Sequence, residues 1–309
     1  MGDTYELAII GGGPAGAAAG VYAARKQMHS ILIAERFGGQ SVDSLDVQNW
    51  IGTSHISGFD LAKALEKHVR EYANDFVTIK TGTRVRSIET TRNAFTIQTV
   101  DGSFSAKTVL IASGGARKKL EVPGAKEFEN KGVVYCASCD GPLFAGMDVA
   151  VVGGGNAGLE STAQLMAYAK SVTLIHRRSE LKGDPVTAQK VFEHSNVHVL
   201  FDTEPVAIKG STLVETITVH NIKSNVTSEL PVSGVFVEIG MLPATDFVRD
   251  LVALDEIGRV KTDPKNQRTS VDGVWAAGDC TDELYHQNNI AAGDAVKALE
   301  DIYLFLRRQ

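Results

Sequence analysis

Leu7–Gly16, LAIIGGGPAG, and Val149–Gly158, VAVVGGGNAG, are two copies of one pattern, and their reading decides the fold. In each copy a short apolar run enters three glycines and leaves into small residues. The spacing predicts a strand, a tight turn and a helix, Ala15–Arg25 in the first copy and Ala157–Lys170 in the second. A second strand follows each, at Ile31–Glu35 and Val172–His176. This is the start of a βαβ unit with its parallel sheet. The predicted fold class is therefore α/β, with two Rossmann-like nucleotide-binding domains.

Outward from the two copies, a helix is predicted around Leu61–Tyr72, and alternating segments at Phe95–Val100 and Ser105–Ile111 predict an antiparallel layer. Beyond the second copy, Thr212–His220 and Gly234–Ile239 predict further strands. The character changes at Gly240–Ala244, and Val274–Asp279 (VWAAGD) reads as a strand ending in an acid before a long helix at about Asn289–Arg307. The first domain is thus expected from residues 1–115 and 243–309, with residues 116–242 inserted as the second.

The whole chain has 309 residues, enough for two cores. No apolar run reaches the roughly 18 residues of a membrane span, and the N-terminus lacks the basic and small-residue signature of a signal peptide. A cytoplasmic protein without a membrane partner is expected. The net charge of −6 offers no extended basic field for nucleic acid. Three cysteines, Cys136, Cys139 and Cys280, do not make a disulfide-stapled secreted fold.

Gly11, Gly13 and Gly16 fit GxGxxG: the first allows the turn, the second admits a pyrophosphate, the third lets helix and strand approach. Glu35 ends the next strand, where a carboxylate can accept from ribose hydroxyls. A plain glycine turn with a solvated acid is the bland alternative. Gly153, Gly155 and Gly158 repeat the spacing, but His176, Arg177 and Arg178 replace the acid. Guanidiniums there can clamp a 2′-phosphate, which favours NADPH over NADH; a solvated basic strand end is the alternative.

Cys136-Ala-Ser-Cys139-Asp140 precedes the second motif, and no further CxxC or His pair completes a zinc site, so no metal is expected. Thiols at this spacing can close a small disulfide ring and exchange electrons, with Asp140 the neighbour for proton transfer. Two buried unreactive thiols are the rival reading. Cys280 has no near partner and is taken as packing.

In order, GGGPAG, FGGQ (Phe37–Gln40), QNWIG (Gln48–Gly52), CASCDG (Cys136–Gly141), GGGNAG, HRR (His176–Arg178) and AAGDCTD (Ala276–Asp282) resemble low-molecular-weight thioredoxin reductases over nearly the whole chain. AERFGGQ (Ala34–Gln40) and CDGPLF (Cys139–Phe144) are also similar to the flavoprotein component of alkyl hydroperoxide reductase. These two stretches look even more like that relative than like a thioredoxin reductase, but it carries an extra N-terminal thioredoxin-like unit not seen in this sequence, so a free-standing reductase is the expectation. The resemblance implies FAD on the first domain, held by Gly11, Gly13, Pro14, Ala15, Gly16, Glu35, Gly39, Gln40, Asn49, Val85, Ala112, Ser113, Gly114, Asp279, Gln287 and Asn288. It implies NADPH, with NADH as the alternative, on Gly153, Gly155, Asn156, Ala157, Gly158, His176, Arg177, Arg178 and Lys182. Cys139 would face the flavin, Cys136 would attack the partner disulfide, and Asp140 would serve as acid and base.

The implied partner is a small thioredoxin- or glutaredoxin-like protein, and the implied assembly a homodimer. Two departures stand out. Lys182 holds the place of a third arginine, with Glu180 close by, and His286-Gln287-Asn288 replaces Arg-Gln-Ala. The competing functions are a peroxiredoxin-linked or NADH-dependent reductase, a flavin-dependent dithiol oxidase, and a non-catalytic flavin or nucleotide sensor.

Overall fold

The structure, a computed structural model, describes residues 4–44 and 46–308. It divides into two units, Met1–Ala116 with Leu242–Gln309, and Arg117–Met241.

The first unit opens with β1 (Tyr5–Ile10), α1 (Pro14–Arg25) and β2 (Ser30–Ala34), the strands pairing in parallel with Leu7 opposite Ser30. Pro14 starts α1 where a missing N–H costs nothing, and its alanines and glycines let it lie close on the sheet. α2 (Gly58–Ala73) is capped by Ser57, whose hydroxyl accepts from the Asp60 N–H, and Asn74 at φ +41° ends it. Strands β3 (Val77–Thr81), β4 (Val85–Thr90), β5 (Phe95–Thr99) and β6 (Ser103–Ile111) complete the order β3-β2-β1-β6-β5-β4. β4, β5 and β6 pair antiparallel, whereas β6 pairs in parallel with β1.

β7 (Gly115–Arg117) leads into the second unit, whose parallel sheet comprises β8 (Val133–Val134), β9 (Asp148–Val152), β10 (Ser171–Ile175), β11 (Val197–Leu200) and, later, Gly234–Val237. Short α3 (Ala137–Asp140) precedes β9, α4 (Asn156–Leu165) joins β9 to β10, and α5 (Pro185–Glu193) joins β10 to β11. α4 is shorter than the predicted Ala157–Lys170. Its following residues leave the helix because the Tyr168 carbonyl accepts from Gly146 and the Lys170 N–H donates to Met147. β12 (Thr203–Gly210), β13 (Val214–Asn221) and β14 (Val226–Pro231) form a separate antiparallel meander before β15 (Gly234–Val237). The sheet order is β11-β10-β9-β15-β8.

β16 (Met241–Pro243) pairs with β7, so the two segments in which the chain passes between units form a two-stranded ribbon. β17 (Val274–Ala276) then joins the first sheet beside the carboxyl half of β6, and α6 (Asn288–Arg307) closes the chain. Each unit owns its core. Leu7, Ile9, Leu32, Trp275 and Leu299 pack one face of the first sheet, and Ile31, Ile33, Val109 and Val274 the other. In the second unit Ala150, Val152 and Val235 face the meander, while Val149, Val151 and Leu174 face the helices. No helix among the described residues is long and apolar enough to cross a membrane.

Candidate functional site

In both sheets the chain leaves one central strand toward one side and the next toward the other, which opens a crevice at the carboxyl ends. In the first unit that crevice lies between β1 and β6. Gly11 sits at φ +127°, and a Cβ there would fall 2.1 Å from the Ala112 carbonyl oxygen. A Cβ on Gly16 would fall 1.9 Å from the Gly11 carbonyl, so α1 can approach β1 only without a side chain. Gly13, by contrast, has nothing nearer than the Gly39 Cα at 3.9 Å. Its open space is where a phosphate can meet the backbone at the start of α1.

A cleft of about 390 Å³ runs from this loop. Of the predicted residues, Gly11, Gly13, Pro14, Ala15, Glu35, Gly39, Gln40, Val85, Ala112, Ser113, Gly114, Asp279 and Asn288 line it. Gly16, Asn49 and Gln287 do not. Gly16 is consumed by helix packing, and the Asn49 amide donates to Gln287 Oε1 at 2.9 Å, tying one wall loop to the cap of α6. The Ser41 hydroxyl donates to Asn288 Oδ1 at 2.9 Å and Gln40 Nε2 to Asp279 Oδ2 at 3.2 Å, two further ties across the cleft. Glu35 is exposed and lies 3.3 Å from Arg84.

Gly12, within the glycine run, also lines the cleft, and a Cβ there would meet the Arg36 carbonyl at 2.5 Å; sequence reasoning missed Ser41, Thr83, Arg84 and Phe247, which line it too. Thr83 carried no local signal; its buried hydroxyl has no partner among the described residues, a polar atom left for a bound molecule. The open loop at Gly13, the Glu35 carboxylate on the cleft wall and the orphan Thr83 hydroxyl together fit a dinucleotide such as FAD.

The second unit repeats the construction between β9 and β15. Gly153, at φ +125°, would place a Cβ 2.1 Å from the Glu238 carbonyl, and Gly158 one 1.8 Å from the Gly153 carbonyl, while Gly155 has nothing within 4 Å. Asn156 and Ala157 begin α4, and the Asn156 side-chain oxygen accepts from the Asp184 N–H at 2.7 Å. His176 was predicted to touch the nucleotide, but its ring is committed inward. Nδ1 accepts from the Gly154 N–H at 3.1 Å, and Nε2 donates to the Glu180 carbonyl at 2.9 Å. Burial, then the neighbouring cations, lowers its pKa and favours the neutral ring. Both ring nitrogens thus tie the glycine loop to the segment after β10. Arg177, Arg178 and Lys182 are exposed around it, in no ion pair among the described residues.

Cys136 and Cys139 form a disulfide, with Cα atoms 5.3 Å apart. Cys136 caps α3, and the Cys139 N–H donates to its sulfur at 3.2 Å. Asp140 follows directly. Burial raises its pKa from the ordinary carboxyl range to about 6, so it can hold or release a proton near neutrality. Cys280 is fully buried, and burial pushes its thiol up to about 11, which fits packing rather than exchange. No cluster of metal-binding side chains occurs among the described residues.

Two glycine crevices, one followed by cations, and a disulfide next in sequence to a carboxyl of raised pKa are features suited to nucleotide binding and thiol–disulfide exchange. The chain belongs to the pyridine nucleotide-disulphide oxidoreductase family, whose model matches residues 5–295. This membership implies a flavin and a pyridine nucleotide. In structure it is similar to thioredoxin reductase from Streptococcus pyogenes, at 34% identity and a TM-score of 0.90 over 99% of each chain. In sequence it is 37% identical to an NADH dehydrogenase of Bacillus subtilis over 99% of this chain and 59% of that protein. It is 38% identical to the F component of the alkyl hydroperoxide reductase of Pseudomonas aeruginosa over 96% of this chain and 57% of that protein. The chain thus spans under two thirds of those curated relatives.

Proposed function

We propose that the protein is an NADPH-dependent flavoprotein that reduces the disulfide of a small thioredoxin- or glutaredoxin-like protein. The Cys136–Cys139 disulfide beside Asp140 carries this reading. FAD would lie in the first unit's cleft, on the thirteen lining residues named above with Gly12, Ser41 and Thr83. Bound there, it supplies two-electron transfer between a pyridine nucleotide and a disulfide.

The chain's own part is thiol exchange. With the pair reduced, the Cys136 thiolate attacks one sulfur of the partner disulfide, and Asp140 supplies the proton taken by the leaving partner thiolate. The Cys139 thiolate then attacks the Cys136 sulfur of the mixed disulfide, the second partner thiolate leaves and is protonated, and the Cys136–Cys139 bond re-forms. The partner gains two electrons and two protons. Cys139→Ser would stall the sequence at a mixed disulfide, which nonreducing gels detect.

Arg177 and Arg178, exposed just after β10 and in no ion pair among the described residues, would favour a 2′-phosphate, while Lys182 in place of a guanidinium makes the clamp looser. The names of the curated relatives keep NADH-dependent, peroxiredoxin-linked reduction as the second reading. A homodimer is part of the proposal. It is supported by an apolar groove of about 260 Å³ on the first unit, including Ala18, Val21, Tyr22, Trp50 and Val296.

The test is anaerobic bleaching of the protein's flavin by NADPH and by NADH. Fast bleaching by NADPH alone, followed by turnover with a thioredoxin, supports the leading reading. Preference for NADH with turnover only when a peroxiredoxin and peroxide are present replaces it with the second. Bleaching by neither, with dithiols still reducing the flavin, favours a dithiol oxidase.

A further inference from the structure

The redox segment and the second glycine loop share one support, α4. Its N-terminus begins in the loop, and its last turn carries Gln164. Gln164 Nε2 donates to the Ala137 carbonyl at 3.2 Å, and its Oε1 accepts from the Ser138 hydroxyl at 3.0 Å. Ala137 and Ser138 are the two residues enclosed between the cysteines. One carboxamide therefore grips the whole link of the ring. In the turn after α4, the buried Tyr168 hydroxyl lies where a Cβ on Gly141 would be 2.1 Å away, so the residue after Asp140 is also seated against this element.

This grip matters most once the disulfide is open. α3 is one turn of four residues, too short to persist by its own hydrogen bonds. While the S–S bond exists, the ring fixes Ala137 and Ser138 and the two bonds to Gln164 form with little ordering cost. In the dithiol the same bonds must order the segment as well, so they stabilise the disulfide more than the dithiol. Equivalently, they keep the two thiols at high effective concentration. A pair held for closure gives up its electrons more readily.

We propose that Gln164 is a positioning residue for the Cys136–Cys139 couple, making it a stronger reductant by holding the Ala137–Ser138 link after the disulfide opens. The proposal rests on the reading of this pair as redox-active.

The test is the thiol–disulfide equilibrium of the full-length flavoprotein with dithiothreitol. The Cys136 and Cys139 thiols give two electrons and two protons to oxidised dithiothreitol, whose S–S bond breaks as the protein's forms. Acid quench and maleimide mass tagging read the reduced fraction. The difference between the two states is the ordering cost that the dithiol alone bears, expected as a three- to tenfold change in the equilibrium, and tenfold is about 30 mV.

Gln164→Met, similar in size but unable to bond, is expected to shift the equilibrium three- to tenfold toward the dithiol. Ser138→Ala, on an exposed hydroxyl, is expected to shift it about twofold and to add little to Gln164→Met. Global destabilisation alone would not move this ratio. Wild-type equilibrium in both the Gln164→Met and Ser138→Ala proteins overturns the proposal, and should Gln164→Met fail to fold, an unshifted Ser138→Ala does so alone. A wild-type pair that dithiothreitol cannot reduce would instead overturn the underlying redox assignment.

Discussion

At the scale of single residues, Asp140 shows a conflict between folding and chemistry. Its folded pKa of about 6 lies above the ordinary value of 3.8, with burial as the cause. The native state therefore holds the extra proton between those values. The group favours folding at lower pH, and its contribution is lost as pH rises through about 4 to 6. The cost above that window is up to about 3 kcal/mol, reduced to about 1–2 by partial solvation. Asp140→Asn should thus raise Tm by a few degrees at pH 7.5 and leave it unchanged at pH 4. If Asp140 is the proton donor proposed above, the same substitution should lower disulfide turnover about a hundredfold. Calorimetry at two pH values beside steady-state kinetics checks both halves; a turnover loss without the pH-dependent gain in Tm would contradict the buried-carboxylate account.

The cations after β10 differ, since each is exposed to solvent, and the proposed role in binding a 2′-phosphate sets their prediction. Arg177→Ala and Arg178→Ala are each expected to raise the KM for NADPH about ten- to hundredfold, the loss of one charge-assisted hydrogen bond, with NADH unaffected. His176→Ala should differ from both. It frees the Gly154 N–H that the ring accepts from, so the KM for NADPH and NADH should rise together.

At the scale of elements, the glycine loops separate packing from binding. Gly155 has φ −93° and empty space around it, whereas a Cβ on Gly158 would lie 1.8 Å from a backbone carbonyl that cannot give way. Gly155→Ala should fold like the wild type and lose pyridine-nucleotide affinity, because its methyl occupies the ligand's space. Gly158→Ala should lose both affinity and about 1–3 kcal/mol of stability. Thermal unfolding alongside nucleotide titration distinguishes the two; equal stability losses would mean that the loop has no reserved space.

These loops were legible because their chemistry is local. Three glycines at fixed spacing, a strand before and a helix after, specify a shape whatever lies elsewhere, and β1, α1, β2, β9 and β10 fall within a residue or so of where the spacing put them, while α4 ends five residues early. Cys136 to Asp140 was readable for the same reason. What the sequence hid depends on remote partners. Thr83 and Phe247 reach the first cleft from segments outside either glycine motif, where a lone Gly82 or Asp246 beside them specifies no binding loop. β14 escaped notice because most of its residues are exposed and so show no apolar alternation, and β12 carries a proline within the strand. His176 was read as a ligand contact because sequence shows a ring near a loop but not which way its nitrogens point.

At the scale of the molecule, Arg117–Met241 is an insertion with buried cores of its own. Its parallel sheet is covered on one face by the meander and on the other by α4 and α5, with Val149, Ala150, Val151, Val235 and Phe236 at 0% exposure. Glu238 is likewise served from within. Burial raises its pKa, yet Arg117 at 2.8 Å and the Ser161 hydroxyl at 2.8 Å share its carboxyl, and all three belong to this unit. The paired strands β7 and β16 bring the entering and leaving chain side by side, the condition under which an insertion can be excised without strain. Residues 117–241 expressed alone should therefore unfold cooperatively, close the Cys136–Cys139 disulfide and bind NADPH at a stoichiometry of about one, yet contain no flavin. The joined remainder, residues 1–116 linked to 242–309, should retain the flavin and show no reducible disulfide. Flavin absorbance, thiol counting and urea unfolding of the two fragments decide the matter. A fragment 117–241 that unfolds without cooperativity would show that the second core depends on the first.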